Sequence, residues 1–139
     1  FADADDDGDL DALIVDMDAP PRLLENRSAR QGRWIGFALV GAGANRDALG
    51  ARVEGTAGGV TRTRELRRTH GLFSSHDPRL HFGLGPVTRV DAVRVRWPNG
   101  HVASYQQLDL ERYHTLREIA PPSASTASSP AEASAAKNR

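Results

Sequence analysis

Apolar residues in this chain recur at every second position or in short unbroken runs, and neither arrangement sustains the spacing of a helix face. Residues 33–40 read Arg-Trp-Ile-Gly-Phe-Ala-Leu-Val, an apolar run of strand length that Gly41-Ala42-Gly43-Ala44-Asn45 breaks. Residues 52–57 and 60–68 flank Gly58-Gly59, a two-residue turn, and so predict a hairpin. Within its second arm, Val60, Arg62, Arg64 and Leu66 share no wholly apolar face, which predicts partial burial. Residues 90–97 alternate well: Val93, Val95 and Trp97 point one way, Arg94 and Arg96 the other. Pro98-Asn99-Gly100 follows as a hairpin turn, with a return strand over 101–108 and a last strand over 113–119. Short strands punctuated by Gly, Pro and Asn predict an all-β fold, a small β-sandwich or barrel-like domain over residues 33–118.

Composition narrows the picture. Hydrophobic residues make up 39% of the chain but aromatics only 6%, so the core must rest mainly on Val, Leu, Ile and Ala, with Trp97 as an anchor beside Phe82 and Leu84. The absence of cysteine excludes disulfides and thiolate metal sites within these 139 residues. No segment approaches the ~20 apolar residues needed to span a bilayer. Residues 120–139 are Ala, Ser and Pro with almost no large apolar side chain, a composition that predicts a disordered tail. The chain opens on Phe1 inside a motif, as expected of the C-terminal piece of a longer protein.

Net charge is zero, but it is unevenly spread. Residues 1–21 carry eight Asp and no Lys or Arg, whereas residues 22–118 carry sixteen Arg against nine acidic residues. An acidic head thus precedes a basic body. The head holds the clearest chemical signal, Asp3-Ala4-Asp5-Asp6-Asp7-Gly8-Asp9-Leu10-Asp11. Carboxylates at alternate residues around a glycine can converge on one point, and calcium, a hard cation, takes six to eight oxygens. The spacing predicts side-chain ligation by Asp3, Asp5, Asp7 and Asp11 and a backbone carbonyl from Asp9. An EF-hand would need a bidentate Glu at the twelfth position from Asp3, but Ile14 stands there, and residues 12–15 read as a strand. Magnesium favours fewer protein carboxylates and stricter geometry. The expected ion is structural Ca2+.

An acidic loop running directly into a strand resembles the Asp-x-Asp-x-Asp-Gly-x-x-Asp loop of FG-GAP/VCBS β-propeller repeats. Downstream, residues 45–53 (Asn-Arg-Asp-Ala-Leu-Gly-Ala-Arg-Val), 77–85 (Asp-Pro-Arg-Leu-His-Phe-Gly-Leu-Gly) and 93–100 (Val-Arg-Val-Arg-Trp-Pro-Asn-Gly) resemble blocks of the ASPIC/UnbV domain, in that family's order. Residues 21–26 (Pro-Arg-Leu-Leu-Glu-Asn) look like the strand that ends the preceding repeat. In this order the blocks resemble the architecture of the cartilage acidic protein-like family. The resemblance implies the end of a partial β-propeller repeat over 1–26, an ASPIC/UnbV-like β domain over 33–118, and further propeller blades upstream as partners. It also implies an extracellular, cell-surface or periplasmic setting, a binding or adhesion role toward a glycan or protein ligand, and no catalytic residues. At His76 the blocks depart from the pattern, where a Gln or similar polar residue is expected.

Other chemistries are less well supported. Ser74, Ser75, His76 and Asp77 supply the residue types of a hydrolase triad, but triads are assembled by fold and no Gly-x-Ser-x-Gly elbow is present. His70, His76 and His81 are too loosely spaced to predict a transition-metal site. The glycine-rich segment 41–45 lacks the Lys-Ser/Thr ending of a phosphate loop. Arg62, Arg64, Arg67, Arg68, Arg94 and Arg96 raise polyanion or nucleic-acid binding through a basic face, but few aromatics accompany them to stack bases. Arg46 and Asp47 are candidates to tie the long loop to the body. The expectation is a non-enzymatic calcium-binding module capping a β-propeller, with a hydrolase or enzyme-accessory domain, or polyanion or nucleic-acid binding through the Arg-rich strands, as the alternatives.

Overall fold

A computed structural model describes residues 1–29, 32–72 and 74–119. The tail predicted over 120–139 lies outside the described residues. Eleven strands follow one another: β1 (Ala12–Ile14), β2 (Arg22–Leu24), β3 (Arg33–Val40), β4 (Arg52–Ala57), β5 (Val60–Glu65), β6 (Thr69–Gly71), β7 (Ser74–Ser75), β8 (Leu80–Gly85), β9 (Ala92–Arg96), β10 (Val102–Tyr105) and β11 (Tyr113–Arg117). No helix occurs among the described residues, so none is long and apolar enough to cross a membrane.

Two sheets share one core. The four-stranded sheet runs β10-β9-β4-β5 and is wholly antiparallel. The three-stranded sheet runs β11-β3-β8, with β11 parallel to β3 and β8 antiparallel to it. Alternation fills the space between them. Ile35, Phe37 and Leu39 come from β3, Val53 from β4, Phe82 and Leu84 from β8, Val93 and Val95 from β9 and Leu116 from β11, and all are buried with Trp97. Phe37 meets Phe82 edge-on at 5.6 Å, an arrangement the ring quadrupoles favour. The architecture is therefore an open two-sheet β body, not a closed barrel.

The hairpin across Gly58-Gly59 forms as the sequence predicts, with Ala57 opposite Val60. Its odd second arm has a structural reason. Val53 pairs with Arg64 and Gly55 with Arg62, so both arginines lie on the inner face of β5, at the edge of the sheet. The Arg64 guanidinium sits 5.7 Å from the centre of the Phe82 ring. Arg94 and Arg96 stand opposite Glu54 and Arg52 on the outer face. The arginines expected to make one basic face are thus divided between two. Asp47 does tie the loop to the body, but through Arg68 at 2.8 Å.

β1 and β2 form a separate two-stranded ribbon. Its apolar side chains are uncovered: Leu13 is 61% exposed, Leu23 59% and Leu24 52%. This ribbon and the acidic loop before it are the only parts of the sequence expected to belong to a propeller. Two strands do not close one.

Candidate metal centre

The acidic loop is closed at its neck by an antiparallel bridge between Ala2 and Asp11, with the Asp11 N–H donating to the Ala2 carbonyl at 2.7 Å. From there the chain curls inward. Asp3, 1% exposed, accepts the Asp7 N–H on Oδ1 and the Gly8 N–H on Oδ2, both at 3.0 Å. Asp11, 3% exposed, accepts the Ala4 N–H at 2.9 Å and the Asn26 N–H at 2.8 Å. These amides of Asn26 and Ala4 hold the Asp11 carboxyl below its ordinary pKa. Asp5 is pushed the other way, by desolvation first and then by the charges of Asp7 and Asp11.

Carboxylate oxygens of Asp3, Asp5 and Asp11 lie within 4.8 Å of one another. Among the described residues this is the one such group of potential metal ligands. Asp7 lies outside this group; its Oδ1 accepts the Asp9 N–H at 2.8 Å while its own N–H reaches Asp5 Oδ1 at 3.3 Å. Asp9 is half-buried at the turn after Gly8. The donor set is all hard oxygen, and three carboxylates at this separation repel one another, so the residues fit a calcium ion. Such an ion would neutralise the trio and hold the loop closed.

Gly8 is required twice over. Its φ is +94°, and a Cβ built there would lie 2.0 Å from Trp34 Nε1. Trp34 is buried on β3 between His81, stacked at 5.3 Å, and Tyr113 at 5.0 Å. Its indole N–H has no acceptor. Gly36 makes room for the same cluster, since a Cβ there would meet the Tyr113 ring at 2.1 Å.

Two residues of the β body reach back into the loop, and Asp77 braces one of them. The Tyr113 hydroxyl donates to Asp3 Oδ2 at 2.9 Å. Desolvation, then that bond to Asp3, raises the Tyr113 pKa well above the usual phenol value. Arg79 donates through Nη2 to the Asp3 carbonyl at 2.6 Å and through Nη1 to the Asp6 carboxylate. Its Nε binds Asp77 Oδ2 at 2.7 Å, and its guanidinium lies 4.0 Å over the Tyr113 ring. The Asp77 N–H donates to the Phe1 carbonyl at 3.0 Å. Sequence reasoning missed Arg79 and Tyr113 as neighbours of the loop. A signal did exist: eight Asp in the head, with no Lys or Arg among residues 1–21, call for cations from the Arg-rich body, and Arg79 lies within one of the recognisable blocks.

The remaining candidates fall elsewhere. Ser74 and Ser75 are exposed on β7, and the Asp77 carboxylate beside them is taken up by Arg79. His81 stacks on Trp34 and His76 lies 5.6 Å from the Phe1 ring, and neither joins the carboxylate group. The His70 side chain lies outside the described residues. In the segment 41–45 the Ala42 N–H donates to Glu118 Oε2 at 2.9 Å, so an amide a phosphate would need is already met by a carboxylate.

Fold and site together define an open all-β body of two sheets that grips an N-terminal carboxylate loop. The family described as ASPIC and UnbV matches residues 41–123, and the chain belongs to it. Arg79 and Tyr113 fall within the matched stretch, while the acidic loop, Trp34 and the central strand β3 precede it. No curated protein matches the chain.

Proposed function

We propose that this chain is a non-enzymatic, calcium-binding module of an extracellular, cell-surface or periplasmic protein. In this reading the loop is the end of an FG-GAP/VCBS-type repeat, of the kind found in the cartilage acidic protein-like family, and the ASPIC/UnbV body caps it. The observation that carries the calcium assignment is the convergence of Asp3, Asp5 and Asp11 within 4.8 Å. Asp7 and the Asp9 carbonyl would complete the shell.

The repeat assignment is supported by the β1–β2 ribbon. A lone two-stranded ribbon is marginal in water. This one leaves Leu13, Ile14, Val15, Leu23 and Leu24 uncovered, which suits burial against preceding strands of the same repeat. The two-sheet body then presents its outer face for a glycan or protein ligand. A polyanion surface is less well supported, since the arginines divide between two faces and Arg67, Arg68 and Arg79 are each held by carboxylates.

Calorimetric titration of the full chain with calcium tests the assignment. One saturable site, lost in Asp5→Asn and far weaker for magnesium, is the expected result. No binding, or binding indifferent to Asp5→Asn, would overturn it.

A further inference from the structure

We infer that the β body is part of the metal centre: Arg79 and Tyr113 are positioning residues that hold the acidic loop in its liganding shape, so loop and body order one another. The inference rests on the calcium reading for its metal arm alone. Its structural arm stands on contacts between the loop and the body.

Asp3 is the pivot. Its carboxylate is almost wholly buried and accepts two amides from within the loop, of Asp7 and Gly8. Those two bonds shape the turn only if the carboxylate itself is held still. Within the loop nothing anchors it from behind, whereas the Tyr113 hydroxyl does so at 2.9 Å from β11. A hydrogen bond to a charged, buried acceptor is among the stronger ones available to a protein.

Arg79 solves a separate problem, that of sorting six closely spaced aspartates. Asp6 stands between the predicted ligands Asp5 and Asp7 and has a left-handed φ of 60°. Its carboxylate is taken by Arg79 Nη1, which turns it away from the trio. Through Nη2 the same guanidinium holds the Asp3 carbonyl, and through Nε it is braced by Asp77. The ring of Tyr113 lies beneath it at 4.0 Å, so the two positioning residues also support one another. Meanwhile Trp34, 3% exposed, aims an unpartnered indole N–H at Gly8 and leaves no room for a Cβ there. A loop seated on a buried indole, a phenol and a guanidinium is built against this body. By linkage, whatever the body adds to calcium affinity, calcium adds to the body's order.

Two readouts on the full chain test this, with Tyr113→Phe, which removes one oxygen, and Arg79→Gln. Amide hydrogen exchange needs no metal. The Asp7 and Gly8 amides are expected to exchange roughly ten-fold faster in each variant, while Val53 and Val95 in the core keep their protection. Unchanged exchange at Asp7 and Gly8 would overturn the inference. Should Arg79→Gln expose the core amides, Tyr113→Phe decides. Calcium titration is the second readout, and affinity is expected to fall about ten-fold in Tyr113→Phe with the stoichiometry kept. Wild-type affinity in both variants would also overturn the inference. Faster loop exchange in a protein that binds no calcium would instead sink the calcium reading and leave the positioning role standing.

Discussion

Asp3 and Asp11 are buried carboxylates that each accept two backbone amides, and Asp3 accepts the Tyr113 hydroxyl as well. Both were legible as candidate ligands from their spacing, but their burial was not, because it depends on amides and a hydroxyl supplied from residues 4 to 110 positions away. Gly8 was legible as a turn residue, and its close approach to Trp34 was not. Gly8→Ala is expected to lower stability by roughly 1–3 kcal/mol, from strain at positive φ, plus whatever the indole clash adds. Urea denaturation measures the sum. His81 offers a pH test. Burial holds its pKa below the ordinary 6.5, so the fold keeps the imidazole neutral where the unfolded chain would protonate it. The contribution is therefore present above pH 6.5 and lost as pH falls through that value and below. Melting temperatures taken from pH 8 to 5 are expected to decline, with a shallower decline in His81→Gln.

Among the elements, alternation and turn chemistry carried most of the information. β3 and β4 run over the residues their patterns predict, and β5, β9, β10 and β11 fall within their predicted spans, because one face of each must be buried and the side-chain period of a strand is two. What alternation does not encode is which distant strands pair. The parallel register of Tyr113 with Gly36 is set by the fit of a ring over a glycine, nearly eighty positions apart, and no local pattern announces it. The partial burial predicted for β5 is what forms, and its inner arginines have a reason that the pattern alone does not state. An edge strand that carried apolar residues in place of Arg62 and Arg64 beside Val60 would invite pairing with another chain, and inward-pointing charge discourages it. Arg64→Val is accordingly expected to leave the fold intact yet promote self-association, read as concentration-dependent growth in sedimentation velocity. An unchanged monomer at high concentration would refute that role. Deeper in, Phe82→Ala removes a ring that is 1% exposed and is expected to cost about 3–5 kcal/mol in chemical denaturation.

At the scale of the whole molecule, an acidic head and a basic body meet through a few named contacts, and the zero net charge of the chain conceals that division. The all-β class and the ASPIC/UnbV family follow from the strands and the matched residues 41–123. The propeller repeat does not follow from a ribbon of two strands, and it stands as part of the proposal. The central claim is that a carboxylate loop seated on the β body binds calcium and shares its stability with that body. Thermal unfolding of the full chain, with calcium against EDTA, tests this most directly. A single transition is predicted, raised by about 10 °C when calcium reaches a hundred times its dissociation constant, and the shift should vanish in Asp5→Asn. A melting temperature indifferent to calcium, or a calcium-dependent loop transition separate from an unmoved body transition, would contradict it.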